Sequence, residues 1–130
     1  MKAVYDTCLY IDLLRDSSRL SLFNDRKAVR FLSPVVLMEL LAGVRTTRQK
    51  RAVHSLLDPY SRANRLIPLN SRVYFKAGEC LARIGEFHPG LSHDILIALS
   101  ALSIGAVLFT SNKKDFLKIG KYVPALIEYV

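Results

Sequence analysis

The stretch Ser92-His-Asp-Ile-Leu-Ile-Ala-Leu-Ser-Ala-Leu-Ser-Ile-Gly-Ala-Val-Leu-Phe109 decides the fold. Residues 95–112 carry no charge over 18 positions, the lower limit for a membrane-spanning helix. Serines and a glycine interrupt the run, however, and Thr110-Ser-Asn112 ends it. We therefore predict a buried helix capped by Ser92 and running to Ile104, a stop at Gly105, and a buried strand over Ala106–Phe109.

Strands and helices alternate in the rest of the chain as well. Lys2–Tyr5 predicts a first strand and Thr7–Arg15 a helix, and Val29–Leu32 predicts a second strand. Ser33-Pro34 is a typical helix start and Gly43 a typical stop. The remaining predicted elements are a helix from about Thr46 to Leu57 broken by Asp58-Pro59, a weak edge strand over Arg65–Leu69, a helix over Ser71–Ile84, a turn at His88-Pro-Gly90, a short helix over Asp115–Lys121 and a last strand over Ala125–Val130. This order predicts a three-layer α/β/α fold with a mostly parallel central sheet.

Composition and charge narrow the class of protein. The 130 residues suit one domain spanning 1–130, and 51% hydrophobic residues exclude a disordered polyelectrolyte. Two cysteines do not indicate a disulfide scaffold, and Asp6 interrupts the first apolar stretch too early for a signal peptide, so we expect a cytoplasmic protein without a membrane partner. The net charge of +8 favours a polyanionic partner such as nucleic acid, with solubility alone as the alternative.

Four carboxylates stand where such a sheet would build a site. Asp6 follows the first strand, Glu39 lies on the helix after the second, and Asp94 and Asp115 flank the strand 106–109. Ligands of open parallel sheets gather at the carboxyl ends of the strands, so the four are candidates to converge. Each also has a structural alternative: loop hydrogen bonds for Asp6, a helix start for Asp94 or Asp115, and a buried salt bridge to an arginine for Glu39.

Convergence would require a cation. Two like charges about 4 Å apart repel by roughly 4 kcal/mol at an effective dielectric constant near 20. Oxygen ligands select hard ions such as Mg²⁺ or Mn²⁺, which can activate water against a phosphodiester. Without these four acids the chain has 19 basic and seven acidic residues, a net charge of +12. An acidic site in a basic body is the arrangement expected of a metal-dependent nuclease.

Four sequence blocks together resemble the PIN-domain ribonucleases, and most closely the VapC-type toxins of toxin–antitoxin systems. The blocks are Asp6-Thr7, Glu39-Leu-Leu-Ala-Gly43, Asp94-Ile-Leu-Ile-Ala98 with Gly105-Ala106, and Thr110-Ser-Asn-Lys-Lys-Asp-Phe116. The resemblance implies that Asp6, Glu39, Asp94 and Asp115 are catalytic, metal-binding acids. It implies that Asn112 supports them and that the Thr7 and Thr110 hydroxyls lie nearby.

The same resemblance implies an Mg²⁺- or Mn²⁺-dependent endoribonuclease that forms a homodimer and is inhibited by a cognate antitoxin. One departure is Cys8, because family members commonly have Asn or Ser at this position. Because a thiol is a poorer hydrogen-bond partner, we expect Cys8 to position Asp6 less firmly than Asn or Ser would. Two other functions stay open: a DNA-directed or structure-specific nuclease, and a catalytically weak nucleic-acid-binding or interaction module.

Basic residues near the motifs are candidates for RNA contact. Lys113 and Lys114 lie inside the last block, and we expect at least one of them to contact a phosphate. Arg45 and Arg48 belong to a basic segment for which phosphate binding and a solvated helix face are equally favoured. The three histidines share no metal-ligand spacing, and for His93 a surface or capping role is favoured over substrate contact.

Overall fold

A computed structural model of the protein describes all 130 residues and contains a parallel four-stranded sheet. The strands are β1 (Lys2–Tyr5), β2 (Val29–Phe31), β3 (Val107–Thr110) and β4 (Leu126–Tyr129), in the order β2-β1-β3-β4. Consecutive residues of the inner strands are buried, as at Val4-Tyr5 and Leu108-Phe109. Because successive side chains point to opposite faces, both faces of the sheet are covered.

Seven helices accompany the sheet. They are α1 (Thr7–Asp16), α2 (Leu20–Phe23), α3 (Pro34–Ala42), α4 (Thr47–Arg62), α5 (Ser71–Ile84), α6 (Pro89–Ser103) and α7 (Lys113–Ile119). A single cluster of 28 buried hydrophobic residues joins helices and strands. The predicted α/β class with a parallel sheet is confirmed.

Local capping signals placed several helices correctly. Ser33 accepts a hydrogen bond from the Val35 amide at 3.3 Å and Pro34 is the first residue of α3, which ends before Gly43. α5 spans the predicted residues, with Asn70 as its N-cap and Gly85 in the left-handed conformation after it. These ends depend on neighbouring residues only, so sequence suffices to find them.

Two predictions around α4 were wrong. The helix continues through Pro59 to Arg62, because Val53, Leu57 and Tyr60 form one buried stripe whose packing outweighs the local cost of proline. The edge strand predicted over residues 65–69 is reduced to one isolated bridge between Leu32 and Leu66.

The helices at the chain's later motifs begin earlier than predicted. His88, not Ser92, caps α6: its Nδ1 accepts the Leu91 amide at 3.2 Å, and Pro89 is the first helical residue. Likewise α7 begins at Lys113 rather than at Asp115, with Asn112 as its N-cap. The four-residue helix α2 was not predicted. No helix has both the length and the hydropathy that crossing a membrane requires.

Candidate active site

The sequence motifs meet at the carboxyl edge of the central strands. Asp6 directly follows β1, and Thr110 is the last residue of β3. Glu39 is carried by α3 and Asp94 by α6, while Asp115 lies in the first turn of α7. The charges of Asp6, Asp115 and Glu39 all act on Asp94, so the four carboxylates surround one region.

Asp6 is buried and held by three donors. Its Oδ1 accepts the Thr7 amide at 2.8 Å, and its Oδ2 accepts the Thr110 hydroxyl at 2.7 Å and the Cys8 thiol at 3.5 Å. Burial raises the pKa of Asp6, and these hydrogen bonds oppose the rise. Ser111 Oγ in turn donates to Cys8 Sγ at 3.2 Å. The Thr110 hydroxyl therefore supplies the short hydrogen bond that the thiol cannot.

Glu39 is bound from both sides without an arginine. Thr7 Oγ1 donates to its Oε1 at 2.7 Å, and His93 Nδ1 lies 3.4 Å from its Oε2. The Glu39 side chain is 29% exposed. The buried salt bridge to an arginine, considered as the alternative from sequence, is absent. His93 contacts the site, a role that its position next to Asp94 alone did not reveal.

Asn112 connects the two remaining acids. Its Nδ2 donates to Asp115 Oδ2 at 3.0 Å and lies 3.4 Å from Asp94 Oδ2. Asp94 stands in the second turn of α6, beyond the first turn where an acid would merely serve the helix dipole. Asp115 does lie in the first turn of α7, so its alternative as a helix-start acid is compatible with its position.

The electrostatics of this cluster are unusual. Burial, followed by the charges of Asp6, Asp115 and Glu39, raises the pKa of Asp94 to about 8. No lysine or arginine lies within 4 Å of any of the four carboxylates; their one basic neighbour is His93. The protein therefore concentrates negative charge that its own cations do not neutralise.

A hard divalent ion fits this donor set. The four acids supply oxygen atoms, the ligands of Mg²⁺ and Mn²⁺, whereas Asn112 presents its amide nitrogen to two of them. No three His, Cys, Asp or Glu side chains approach one another closely enough to hold an ion by themselves. Mg²⁺ retains several of its waters in protein sites, so it does not need direct contact with all four carboxylates.

The basic candidates lie apart from these contacts. Arg45 Nη1 donates to the carbonyls of Ala42 and Val44 at 2.9 and 3.1 Å, at the end of α3, and Arg48 is exposed on α4. Lys113 and Lys114 are exposed in the first turn of α7, with Lys113 Nζ 5.9 Å from the Tyr129 ring centroid. None of the four contacts an acid of the site.

An apolar groove adjoins Glu39. The cavity measures about 400 Å³ and lies between α1, α3 and α4. Side chains of Ile11, Leu14, Leu40, Val44 and Val53 line it, and Arg15 and Gln49 add polar groups. Ile11 and Leu14 are 48% and 40% exposed, although they belong to an apolar wall.

Comparison with known proteins agrees with this architecture. Residues 3–122 match the PIN domain family. The chain is 32% identical over 99 residues to ribonuclease VapC2 of Rickettsia felis, covering 74% of this chain and 69% of that protein.

Solved structures give the same result. In VapBC2 of Rickettsia felis bound to a promoter DNA fragment, a chain aligns with a TM-score of 0.69 and 26% identity, covering 100% of this chain and 99% of that one. In DNA-bound VapBC from Salmonella typhimurium the TM-score is 0.64 at 25% identity, with 99% and 98% covered. The chain therefore belongs to the PIN domain family, as a VapC-type member.

Proposed function

We propose that the protein is a metal-dependent endoribonuclease and the toxin of a type II toxin–antitoxin pair, acting in the cytoplasm. The observation that carries this proposal is the carboxylate cluster without a lysine or arginine counter-ion, in which Asp94 has its pKa raised to about 8. The ribonuclease relative supports RNA as the substrate. The net charge of +12 outside the cluster favours binding of a polyanion.

In the proposed mechanism Asp6, Glu39, Asp94 and Asp115 would hold Mg²⁺ or Mn²⁺, in part through waters that the ion retains. Such an ion would neutralise phosphate charge and lower the pKa of a water molecule for attack on the phosphodiester. Thr110 fixes Asp6, and Asn112 holds Asp94 and Asp115 in register. Glu39, held by Thr7 and partly exposed, binds metal or accepts the proton of the attacking water. We propose that Lys113 and Lys114, which are exposed in the first turn of α7, contact the substrate's phosphates.

The direct test incubates total cellular RNA with the purified protein, with and without Mg²⁺, and maps the new ends. We expect metal-dependent internal cleavage by the parent and none by Asp94→Asn. A single-stranded DNA of the same sequence in a parallel reaction tests the DNA-directed alternative. Binding of RNA without any cleavage in Mg²⁺ or Mn²⁺ would instead support the weak binding module and contradict the enzyme proposal.

The proposed inhibitor is a small antitoxin whose tail crosses the site. The solved complexes of VapBC proteins support a protein partner of this kind. The groove beside Glu39 is apolar, and the cluster it adjoins is acidic. We therefore expect an amphipathic segment whose apolar side chains fill the groove, with an Arg or Lys near Asp6, Glu39 and Asp94 in place of the metal.

Co-expression tests this partner. The protein alone should arrest bacterial growth, and the product of the neighbouring upstream reading frame should restore it. Crosslinking from a photoreactive residue at Ile11 should then capture the antitoxin. A partner that rescues growth but crosslinks only to a face remote from all four acids would contradict this mode of inhibition.

We also propose a homodimer, for which exposed aromatic side chains provide support. Phe75 on α5 is 71% exposed, and Phe87 in the following loop is 82% exposed. Phe87 lines a depression together with Gly78 and Ala82, which lie on the same helical face as Phe75. Sedimentation velocity should show a dimer for the parent and a monomer for Phe75→Glu. A monomeric parent at high concentration would contradict the proposal.

A further inference from the structure

Arg30 on β2 is a half-buried cation with one buried, unpartnered nitrogen atom. Its Nε is the only buried side-chain nitrogen or oxygen atom of the chain without a hydrogen-bond partner. No carboxylate lies within 4 Å of its guanidinium group. Two aromatic side chains are its neighbours: the Phe23 ring centroid lies 5.8 Å from Cζ, and the charge of the guanidinium group and its hydrogen bond to Tyr5 partly oppose the burial that raises the pKa of Tyr5. A buried polar group without a partner is costly and requires an explanation.

The Arg30 side chain lines a cavity separate from the carboxylate cluster and its groove. This cavity measures about 340 Å³ and is lined by none of the proposed site residues. Arg30 shares it with a second arginine, Arg65, which forms no ion pair either. Ser55 and Asn24 also line this cavity and add a hydroxyl and an amide to its lining. Two positive charges and neutral donors therefore border one space without an acid among its lining residues.

Part of the cavity's lining is apolar. Leu13, Leu20, Leu56 and Pro59 contribute to it, and Leu20 is 51% exposed. An inorganic anion would contact only the polar lining residues and would leave the apolar ones in contact with water. A cavity with a largely apolar lining and a few converging polar groups is typical of small-molecule sites, and this volume lies within their range of roughly 300–1,000 Å³.

We propose that this cavity binds a nucleotide unit, either free or as part of an RNA strand. Arg30 and Arg65 hold its phosphate, whose oxygens match their planar fork and whose negative charge, one in a strand and close to two in a free monophosphate, is attracted to both guanidinium groups. The sugar and base lie against the leucine and proline wall. This site is independent of the proposed cleavage chemistry, because it shares no residue with it.

The test measures binding of adenosine monophosphate and uridine monophosphate to the metal-free protein by isothermal titration calorimetry in EDTA. Without divalent ions the carboxylate cluster repels phosphate, so binding there does not interfere. We expect one nucleotide per chain. Loss of a charge-assisted hydrogen bond should weaken binding about ten-fold or more in Arg30→Met and in Arg65→Met. The matched control Arg72→Met, which removes an exposed arginine outside the cavity, should bind like the parent.

Stability separates a ligand site from a structural role of Arg30. Because Arg30→Met removes a buried unpaired polar atom and keeps the side-chain volume, we expect its melting temperature without ligand to equal or exceed that of the parent. Binding of a short 2′-O-methyl oligoribonucleotide shows whether the nucleotide unit is free or part of RNA. If the oligonucleotide binds through Arg30 and the monophosphates do not, the site is assigned to RNA. If only the monophosphates bind through Arg30, the site is assigned to a free nucleotide.

Three results would overturn the proposal. One is equal binding of nucleotide or oligonucleotide to the parent and Arg30→Met. Another is inorganic phosphate binding as tightly as the monophosphates, which would leave the apolar wall without a role. The third is binding of an acidic peptide that depends on Arg30, in a protein that binds neither the monophosphates nor the oligonucleotide. Metal-dependent RNA cleavage is measured separately and is expected to persist in Arg30→Met. The nucleotide-site proposal and the ribonuclease proposal can therefore be refuted independently of each other.

Discussion

At the scale of single residues, the protein arranges hydrogen-bond donors around acids that it leaves without cationic partners. Thr7 donates a hydrogen bond to Glu39, and Thr110 donates one to Asp6. Asn112 donates to both Asp94 and Asp115. Donors of this kind orient carboxylates without neutralising them. The arrangement keeps the charge available for an ion from solution, which is why we attribute the cluster to metal binding and not to internal ion pairs.

Replacing Asp94 with Asn should stabilise the metal-free protein in a pH-dependent way. The folded-state pKa of Asp94, about 8, lies above the ordinary value of 3.8, so folding disfavours its ionised form. The parent therefore loses stability as the pH rises from about 4 to about 8, whereas Asn does not titrate. Because water screens a partly exposed carboxylate, we expect the variant to gain on the order of 2 kcal/mol at pH 8.

Urea denaturation in EDTA at pH 4.5 and pH 8 measures this effect. The difference between variant and parent should be small at the lower pH and larger at the higher one. The matched control Asp12→Asn removes a carboxylate that already pairs with Arg15 and Arg19, and it should not stabilise the protein. A stability difference for Asp94→Asn that is independent of pH would contradict the assigned electrostatics.

The Thr7 hydroxyl should matter through Glu39. Thr7→Val keeps the side-chain shape but removes the donor 2.7 Å from Oε1, whereas Thr7→Ser keeps a hydroxyl. Loss of such an outer-shell contact typically costs roughly ten-fold or more in metal affinity or activity. We expect weaker Mn²⁺ binding for Thr7→Val and recovery for Thr7→Ser, measured by isothermal titration calorimetry. Equal weakening of both variants would show that Thr7 acts only through packing.

At the scale of elements, the sequence predicts helix ends that depend on neighbouring residues. It does not predict helix lengths or contacts that depend on packing in the folded chain. Ser33 and Pro34 determine the start of α3 locally, and the prediction was correct. α4 passes through Pro59 because its buried stripe extends to Tyr60, which only the folded chain shows. For α6, Pro89 is the first helical residue, although His88-Pro-Gly90 equally fits a turn by sequence. The contact of His93 with Glu39 joins α6 to α3, and sequence spacing does not encode such contacts.

The two glycines that end α3 and α6 differ in their tolerance of a side chain. Gly105 has a φ of +66°, which disfavours any residue with a Cβ, so we expect Gly105→Ala to lose about 1 kcal/mol of unfolding free energy. Gly43 has a φ of −80°, and an added Cβ would meet carbonyl oxygens only at 3.6 Å or beyond. Gly43→Ala should stay within about 0.5 kcal/mol of the parent. Urea denaturation compares them, and equal losses would contradict this distinction.

At the scale of the whole molecule, the charge distribution separates a basic body from an acidic cluster. The body should bind RNA through phosphates, a contribution that weakens as salt rises. With about four phosphate contacts on a single strand, affinity should fall about 50-fold between 50 and 200 mM salt. Fluorescence anisotropy with Asp94→Asn in Mg²⁺ measures binding without cleavage. An affinity that does not change with salt would contradict a phosphate-binding surface.

The central claim is that Asp6, Glu39, Asp94 and Asp115 form a site for a divalent metal ion. The most direct measurement is the melting temperature of the metal-free protein at pH 8 during titration with Mg²⁺ or Mn²⁺, for the parent and Asp94→Asn. Binding to the folded state should raise the melting temperature of the parent in a saturable way, because the ion replaces repulsion with attraction. Asp94→Asn should start higher and rise far less. A parent that does not respond to either ion, or a variant that responds equally, would contradict the claim.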